Sequence, residues 1–473
     1  MKAVLPLRFD EIAPDAFIIA DDAGQAFAAG AAFVDRYAAD QLSDVDMGFL
    51  ARAGYVVDPQ SRDLAYIAAL RRAGARFANP ADLSYIILVP TLRCDLKCAY
   101  CQVSRVDEDR QGFDWTEAQV SDVLTFLDGL ATPKIQIEFQ GGEPLLRVDI
   151  LQRVAEFCRQ RFAECRFIVC TNLNRLDDDV RHFIAAPDVF VSTSLDGGYA
   201  VHRKNRTETD EKTQTFFNHL RTVIDEFGAD KVSALPTIDY AAPPTPEEVL
   251  DAFGAFGIWS IYLRPVNHQG FARKTFSKLR NDAATWISYY ERFIAAMLAR
   301  NASADAIFEE FNLTLAIKRC LQSGHDTHVD FRNPGYFARD YIVVDFDGRL
   351  YPTDEARMLT RTGVVDLSIG SVRGGITQVD KIAELQSAAI NNFDPDCQHC
   401  VYQPACSADP IDDISRYGRI DIARPHTMFC QRQTALFRLA WRLILSDDPE
   451  IRRSVCGWLD IPFTTASLVP VHA

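Results

Sequence analysis

The sequence predicts an α/β protein: an open, partial barrel of six β/α repeats, with a small α+β unit before it and a cysteine-rich region after it. Three observations predict this. Six short apolar runs alternate with helix-patterned stretches between residues 84 and 265. The runs stay apolar along their length, as strands buried on both faces of a parallel sheet do. Six repeats fall short of the eight that close a full barrel.

The elements follow in order. Residues 1–80 read as a separate unit, in which "AFIIADDAGQAFAA" gives two strands around the turn "DDAG". "AAFVDRYAADQL" and "MGFLARAGYVV" then have helical spacing, with a glycine at the second helix's end. "RRAGARFANPADL" leads to the barrel, assigned to 81–310. Strands are expected at 85–90, 134–139, 166–170, 190–195, 231–238 and 259–265, and helices at 116–130, 147–162, 176–185, 211–227 and 246–255. A C-terminal region, 311–473, opens with the hairpin pattern "YIVVDFDGRLYP" and closes with the amphipathic "TALFRLAWRLIL".

Composition narrows the function. The chain has 65 acidic against 50 basic residues, a net charge of −15, which argues against a general grip on nucleic acid. The N-terminus turns acidic too early for a signal peptide, and no apolar run suggests a membrane span. The chain therefore reads as soluble and cytoplasmic. There, twelve cysteines are metal ligands or buried apolar side chains sooner than disulfides.

Two groups stand out. "TLRCDLKCAYC" sets Cys94, Cys98 and Cys101 on the loop after the first barrel strand, where such folds keep their chemistry. Thiolates suit zinc or iron–sulfur, and three of them can hold three corners of a [4Fe–4S] cube with one iron open. "CQHCVYQPAC" gives Cys397, Cys400 and Cys406, with Cys430 further on. A tetrathiolate zinc site is the other reading of this second group. Cys158, Cys165, Cys170, Cys320 and Cys456 read as buried apolar residues.

The C-x3-C-x-aromatic-C pattern after the first strand of a partial barrel resembles the radical S-adenosylmethionine (SAM) superfamily. That resemblance implies SAM chelated by the open iron, reductive cleavage to a 5′-deoxyadenosyl radical, and hydrogen abstraction from a substrate. It also implies SAM contacts in "FQGGEPLL" (Gly141, Gly142, Glu143), "CTNLN" (Thr171, Asn172) and "STSLDGGYAVHRKNR" (Ser192, Ser194, Asp196, Arg206), with Tyr100 beside adenine and cluster. Glycines there would let backbone approach the ligand closely. Turn, capping and core roles are the plain alternatives for these residues.

The second cysteine group resembles the SPASM extension of radical SAM enzymes that mature peptides. Cys397, Cys400, Cys406 and Cys430 match the outer auxiliary [4Fe–4S] cluster of that extension. The inner cluster lacks ligands, since Thr353 and Pro410 stand where its cysteines are expected. "RPVNHQGFARK", "YPTDEARM" and "DPIDDISRYGR" resemble the His-Xaa-Ser system maturases (B-type). That likeness implies a ribosomally made precursor peptide, a companion radical SAM maturase and an electron donor such as flavodoxin or ferredoxin. Residues 1–80 resemble a winged-helix-like leader-peptide recognition element, or are a structural cap on the barrel. Asp354 is either a base that takes a proton after hydrogen abstraction or the cap of a helix at "EARML". The expected activity is crosslinking of peptide side chains. The alternatives are formylglycine formation in a sulfatase and a non-catalytic iron–sulfur protein.

Overall fold

The computed structural model describes residues 3–57, 64, 67, 71, 74, 82–276, 280–321, 336–339 and 341–472. The sequence-predicted connection 71–83 falls mostly outside them.

The N-terminal unit is a meander of three strands, β1 (Arg8–Ala13), β2 (Ala16–Ala20) and β3 (Ala26–Ala29), followed by α1 (Ala31–Ala38) and α2 (Asp44–Arg52). The strands around "DDAG" are β2 and β3, where Asp21 Oδ1 accepts Ala23 N and Gln25 N at 2.9 Å each and Gly24 takes φ +81°. β1 was not foreseen, because "RFDEIA" alternates charged and apolar residues over only six positions. Ser43 and Asp46 form a capping box that starts α2. Gly54, at φ +86°, follows its end. Both sheet faces are covered: Ile12, Ile18 and Ala20 join the main core, while Ile19, Phe27 and Ala29 pack with Phe33, Leu50 and Tyr55.

The barrel region alternates strand and helix as expected: β4 (Tyr85–Leu88), α3 (Glu117–Asp128), β5 (Lys134–Phe139), α4 (Val148–Arg161), β6 (Glu164–Cys170), α5 (Asp178–Ala185), β7 (Val189–Thr193), α6 (Asp210–Phe227), β8 (Val232–Ala234) and α7 (Pro246–Gly254). The strands run parallel in the order β8-β7-β6-β5-β4. Register aligns Ile86, Ile137, Phe167 and Val189 in one fully buried row. Two expected strands come out shorter. The run 231–238 is interrupted at Pro236, which has no N–H for the ladder, and its remnant Thr237–Ile238 pairs with Arg264–Pro265.

After α8 (Ala283–Ser303) and α9 (Phe311–Leu321), β9 (Tyr341–Val344) and β10 (Arg349–Tyr351) form the expected hairpin, with Gly348 at φ +80°. β9 also pairs in parallel with β4, so the hairpin extends the five barrel strands to seven, and Gly370–Ser371 and Gly375–Ile376 bring the sheet to nine. Among the helices that follow are α10 (Asp354–Arg361), α11 (Pro410–Tyr417), α12 (Met428–Ile444) and α13 (Pro449–Trp458), with a further helix at Val379–Ala389 between the first two. Leu436, Phe437, Ala440 and Trp441 set α12 into the main core. A last strand, β11 (Val471–His472), pairs in parallel with β3. Among the described residues no helix is long and apolar enough to cross a membrane.

Candidate functional site

The loop from Arg93 to Gln102 leaves the C-terminal end of β4, and the loops after β5, β6 and β7 close around it. Cys94 lies at its start and is buried, with its thiol receiving Leu96 N at 3.4 Å. Ala99 N donates to the Asn205 carbonyl at 2.8 Å, and Cys101 N to that of Cys98 at 3.2 Å. The two glycines of "FQGGEP" are required by this loop. A Cβ on Gly142 would stand 2.2 Å from the Arg93 carbonyl oxygen, and one on Gly141 2.2 Å from that of Thr91. Close backbone approach to the chain around Thr91–Arg93 thus requires glycine at both positions.

Glu143 is fully enclosed. Its carboxylate accepts Leu145 N at 3.0 Å, the Thr171 hydroxyl at 2.8 Å and Asn172 N at 2.8 Å. Burial raises its pKa to about 7, against the lowering pull of these donors. It ties the end of β5 to the end of β6. Asn172 Nδ2 in turn donates to Asp95 at 2.8 Å and stands 3.8 Å from the Cys94 thiol. The predicted contacts Glu143, Thr171 and Asn172 thus meet beside Cys94.

A second group meets beside Cys98. Asp196, completely buried, accepts Thr237 N at 3.0 Å, Arg206 Nε at 3.1 Å, Asn205 Nδ2 at 3.3 Å and the Tyr100 hydroxyl. The Arg206 guanidinium carbon lies 5.1 Å from the centre of the Tyr100 ring. Tyr100 therefore has its hydroxyl on a carboxylate and a cation on its ring face. Burial pushes the Cys98 thiol up to about 11, and Arg206 opposes that shift. Ser192 lies on β7, its carbonyl receiving Thr171 N at 2.9 Å, and Ser194 is half-buried in the loop that follows.

Sequence reasoning missed the residues that hold this loop from behind. Asp95 takes Asn172 and Asn174 on its side chain and Lys212 Nζ on its carbonyl at 2.6 Å. From "RPVNHQGFARK", Phe271 N donates to the Cys101 carbonyl at 3.0 Å and Asn267 bonds Gln102. A Cβ on Gly270 would lie 2.0 Å from the Gln102 carbonyl. The same segment reaches the C-terminal region. Gln269 Nε2 donates to Asp412 at 3.4 Å, Ser415 Oγ to the His268 carbonyl at 2.9 Å, and Thr362 Oγ to the Gln269 carbonyl at 3.2 Å. The first and third stretches that suggested a subgroup thus bond to each other next to the first cysteine loop, and Ala356 of the second packs with Ile411 of the third.

Cys397, Cys400, Cys406 and Cys430 line one cavity of about 690 Å³, with Tyr402, Phe437 and Arg438. Cys430 sits in the first turn of α12, where Thr427 Oγ1 accepts its N–H at 3.2 Å, and burial pushes its thiol up, against the hydrogen bond from Thr434. Burial first, then the neighbouring sulfurs Cys400, Cys430 and Cys397, push the Cys406 thiol well up. Zinc would draw four thiolates to one point, each about 2.3 Å from the metal. A tetrahedral ion and an iron–sulfur cube are the two groups that four thiols around one cavity can take.

The two positions lacking the expected cysteine have other tasks. Thr353 is the N-cap of α10, accepting Ala356 N at 3.0 Å, and Pro410 is the first residue of α11, behind the cap Asp409. Asp354 is therefore not the cap. Its carboxylate accepts Arg357 Nε at 2.8 Å, and both side chains are buried. Among the described residues no hydrogen bond or ion pair joins it to either cysteine group. Cys158, Cys320 and Cys456 are buried as expected, but Cys165 and Cys170 are only half-buried. Cys170 donates to Glu138 at 3.2 Å inside the barrel, because the inward positions of β5 and β6 are polar.

Residues 88–240 match the family model of the Radical SAM superfamily. The match begins in β4 and ends beyond β8, and so contains the first cysteine loop and both groups around it. A radical SAM region implies SAM and a [4Fe–4S] cluster, and the three thiols of one loop fit that group. An uncharacterized protein of Methanocaldococcus jannaschii is 29% identical over 117 residues, 24% of this chain and 39% of its own length. A cysteine-type anaerobic sulfatase-maturating enzyme of Clostridium novyi is 26% identical over 158 residues, 32% of this chain and 42% of its own. The chain thus spans about two fifths of the length of these relatives. The solved structure of native anSMEcpe with bound AdoMet superposes with a TM-score of 0.61 at 15% identity, over 79% of this chain and 99% of that one. The form with AdoMet and the Cp18Cys peptide gives 0.60, also at 15% and over the same shares. The chain shares the α/β radical SAM fold of these structures.

Proposed function

We propose that the chain is a SPASM-type radical SAM enzyme that crosslinks side chains of a ribosomally made precursor peptide. The carrying observation is the packing of Cys94, Cys98 and Cys101 against the loops after β5, β6 and β7, inside the region that matches the superfamily. Cys94, Cys98 and Cys101 would hold a [4Fe–4S] cluster, which would supply the one-electron reduction of SAM that such chemistry needs. Gly141 and Gly142 let the β5 loop lie directly on the cysteine loop. Glu143, Thr171 and Asn172 hold the Cys94 side rigid, and Asp196, Arg206 and Tyr100 the Cys98 side, while Ser192 and Ser194 flank the cofactor's approach. The second cavity holds one auxiliary cluster through Cys397, Cys400, Cys406 and Cys430. Asp354 is offered as the proton acceptor after abstraction, with Arg357 positioning it. A flavodoxin or ferredoxin supplies electrons, and a companion radical SAM protein acts beside the chain on a His-Xaa-Ser precursor.

Anaerobic reconstitution, reduction and addition of SAM test the chemistry. 5′-Deoxyadenosine should form, and a variant with Cys94, Cys98 and Cys101 all changed to Ala should form none. Nucleoside formation by that variant would end the reading. A second reading, oxidation of a sulfatase cysteine to formylglycine, is favoured by the sulfatase-maturating relatives and the peptide-bound structural neighbour. Mass spectrometry of a co-expressed precursor and of a sulfatase-derived cysteine peptide separates the two, because only one should lose hydrogen.

A further inference from the structure

A small cavity adjoins the one around the auxiliary thiols and shares Ile287, Glu291 and Ala435 with it. It lies where the barrel segment 262–265 faces α8 and α12. Two arginines line it, Arg264 from the barrel and Arg432 from α12, beside Tyr262 and Trp286. Both are half-buried. Among the described residues neither guanidinium forms an ion pair or donates a hydrogen bond, and Arg264 Nε is shut off from solvent.

The acids nearby are committed elsewhere. Glu291 accepts Arg442 at 2.8 Å. Asp412 accepts Arg416 Nε at 2.7 Å and Gln269 Nε2 at 3.4 Å. Glu310 accepts Leu263 N at 3.0 Å, Leu313 N at 2.7 Å and the Tyr290 hydroxyl. Burial lowers the pKa of Arg432; Asp412 opposes that shift and Arg416 assists it. Two cations drawn partly out of water without a counter-charge are costly, and an anion between them would offset that cost.

Size and place select the anion. The cavity has about 40 Å³ of free space, and one water needs roughly 10–15 Å³. Room for about three heavy atoms fits a carboxylate better than a phosphate. Arg264 also acts inward on the barrel. Burial pushes the Cys170 thiol at the end of β6 well up, and Arg264 is among the groups that oppose it. The arginine pair thus stands between the barrel interior and the auxiliary thiols.

We propose that Arg264 and Arg432 bind a carboxylate of the substrate peptide and so fix that chain between the first cysteine loop and the auxiliary site. Two guanidinium forks aimed at one carboxylate give directed, charge-assisted hydrogen bonds. An acidic side chain and a free C-terminus present the same group. The proposal rests on the peptide-substrate reading for the chain that carries the carboxylate.

The test titrates the reconstituted protein, without SAM or reductant, with short capped glycine peptides, and reads binding from the peptides' own NMR signals. One peptide carries a central glutamate and its counterpart a glutamine; another pair has a free or an amidated C-terminus. The acid of one pair should bind about tenfold more tightly than its neutral counterpart, and the pair that discriminates names the carboxylate's source. At a net charge of −15 the protein as a whole repels an acidic peptide, so this preference reports a local cationic site. Arg264→Gln and Arg432→Gln should each cut the preference to about threefold or less, while Arg432→Lys, which keeps the charge, should retain more of it than Arg432→Gln. Uncoupled 5′-deoxyadenosine formation at the parent's rate in all three variants shows that fold and first cluster are intact. Equal binding of acid and neutral peptides by the parent, or a preference that survives both glutamine variants, would overturn the proposal. That failure leaves the peptide-substrate reading standing, whereas a precursor that loses no hydrogen counts against the reading and not against the arginine pair.

Discussion

At the scale of residues, the cysteines were legible because their spacing is improbable by chance, whereas the packing of Gly141 and Gly142 on their loop was not. The partners of each polar side chain were not legible, since they come from strands far apart in sequence. Asp196, for example, joins Tyr100, Arg206 and Thr237. Two changes test this scale. Gly142→Ala would drive a methyl group against the Arg93 and Leu92 carbonyls, 2.2 and 2.4 Å away. The cysteine loop must shift, so this variant should lose the first cluster and about half its iron while keeping the auxiliary half. Unchanged iron and unchanged SAM cleavage would show that the loop yields without consequence. His202 is buried, stacked on Phe216 at 4.0 Å, with Nδ1 unpartnered. Burial lowers its pKa to about 3; Asp196 opposes and Arg206 assists. A depressed histidine contributes stability above the unfolded value, near 6.5, and that stability is lost as pH falls toward 3. One such group gives a slope of about 1.4 kcal/mol per pH unit. Urea midpoints between pH 7 and pH 5 should fall less steeply for His202→Phe than for the parent, and identical slopes would refute the assignment.

At the scale of elements, order and type were legible because apolar runs and caps recur at regular intervals. Thr116 and Thr245, for instance, start α3 and α7 with capping boxes. Strand length was less legible where proline interrupts, as at Pro236, and the parallel pairing of β9 with β4 has no local signal at all. The element scale also gives a structural task to the two positions where the resemblance expects further cysteines. Thr353 and Pro410 are the opening residues of α10 and α11, and Cys320 is buried on α9. Thr353→Ala should cost about 1 kcal/mol through loss of the cap, read as a lower denaturant midpoint. The double change Thr353→Cys and Pro410→Cys restores two thiols where four are needed. Reconstituted iron should stay near eight atoms per chain, about four for each of two cubes. A rise toward twelve would mean that other ligands complete a third cube.

At the scale of the whole molecule, the sequence sets residues 1–80 apart as a separate unit. The contacts argue otherwise. Ile12, Ile18 and Ala20 contribute to the main core, and Ile12 also lines the cavity of the second cysteine group. Arg8 donates to the Cys400 carbonyl at 3.4 Å and to Gln403 at 3.1 Å. Asp10 accepts the Tyr402 hydroxyl at 2.5 Å and two bonds from Arg438 on α12, at 2.7 and 2.8 Å. β1 thus forms one wall around the auxiliary thiols, while the first cysteine loop is held by β4 to β7 and the segment after residue 264. Deleting residues 1–57 should therefore remove the auxiliary iron, about four atoms of eight, and leave the SAM-binding cluster assembled. Asp10→Ala, which keeps the chain whole, should loosen Tyr402 and Arg438 together. Its auxiliary cluster should bleach faster in air than that of the parent, with uncoupled SAM cleavage unchanged. Iron counting and electron paramagnetic resonance of the reduced protein distinguish the two clusters. If both altered proteins keep the full iron content and the parent's bleaching rate, the N-terminal unit does not support the second site.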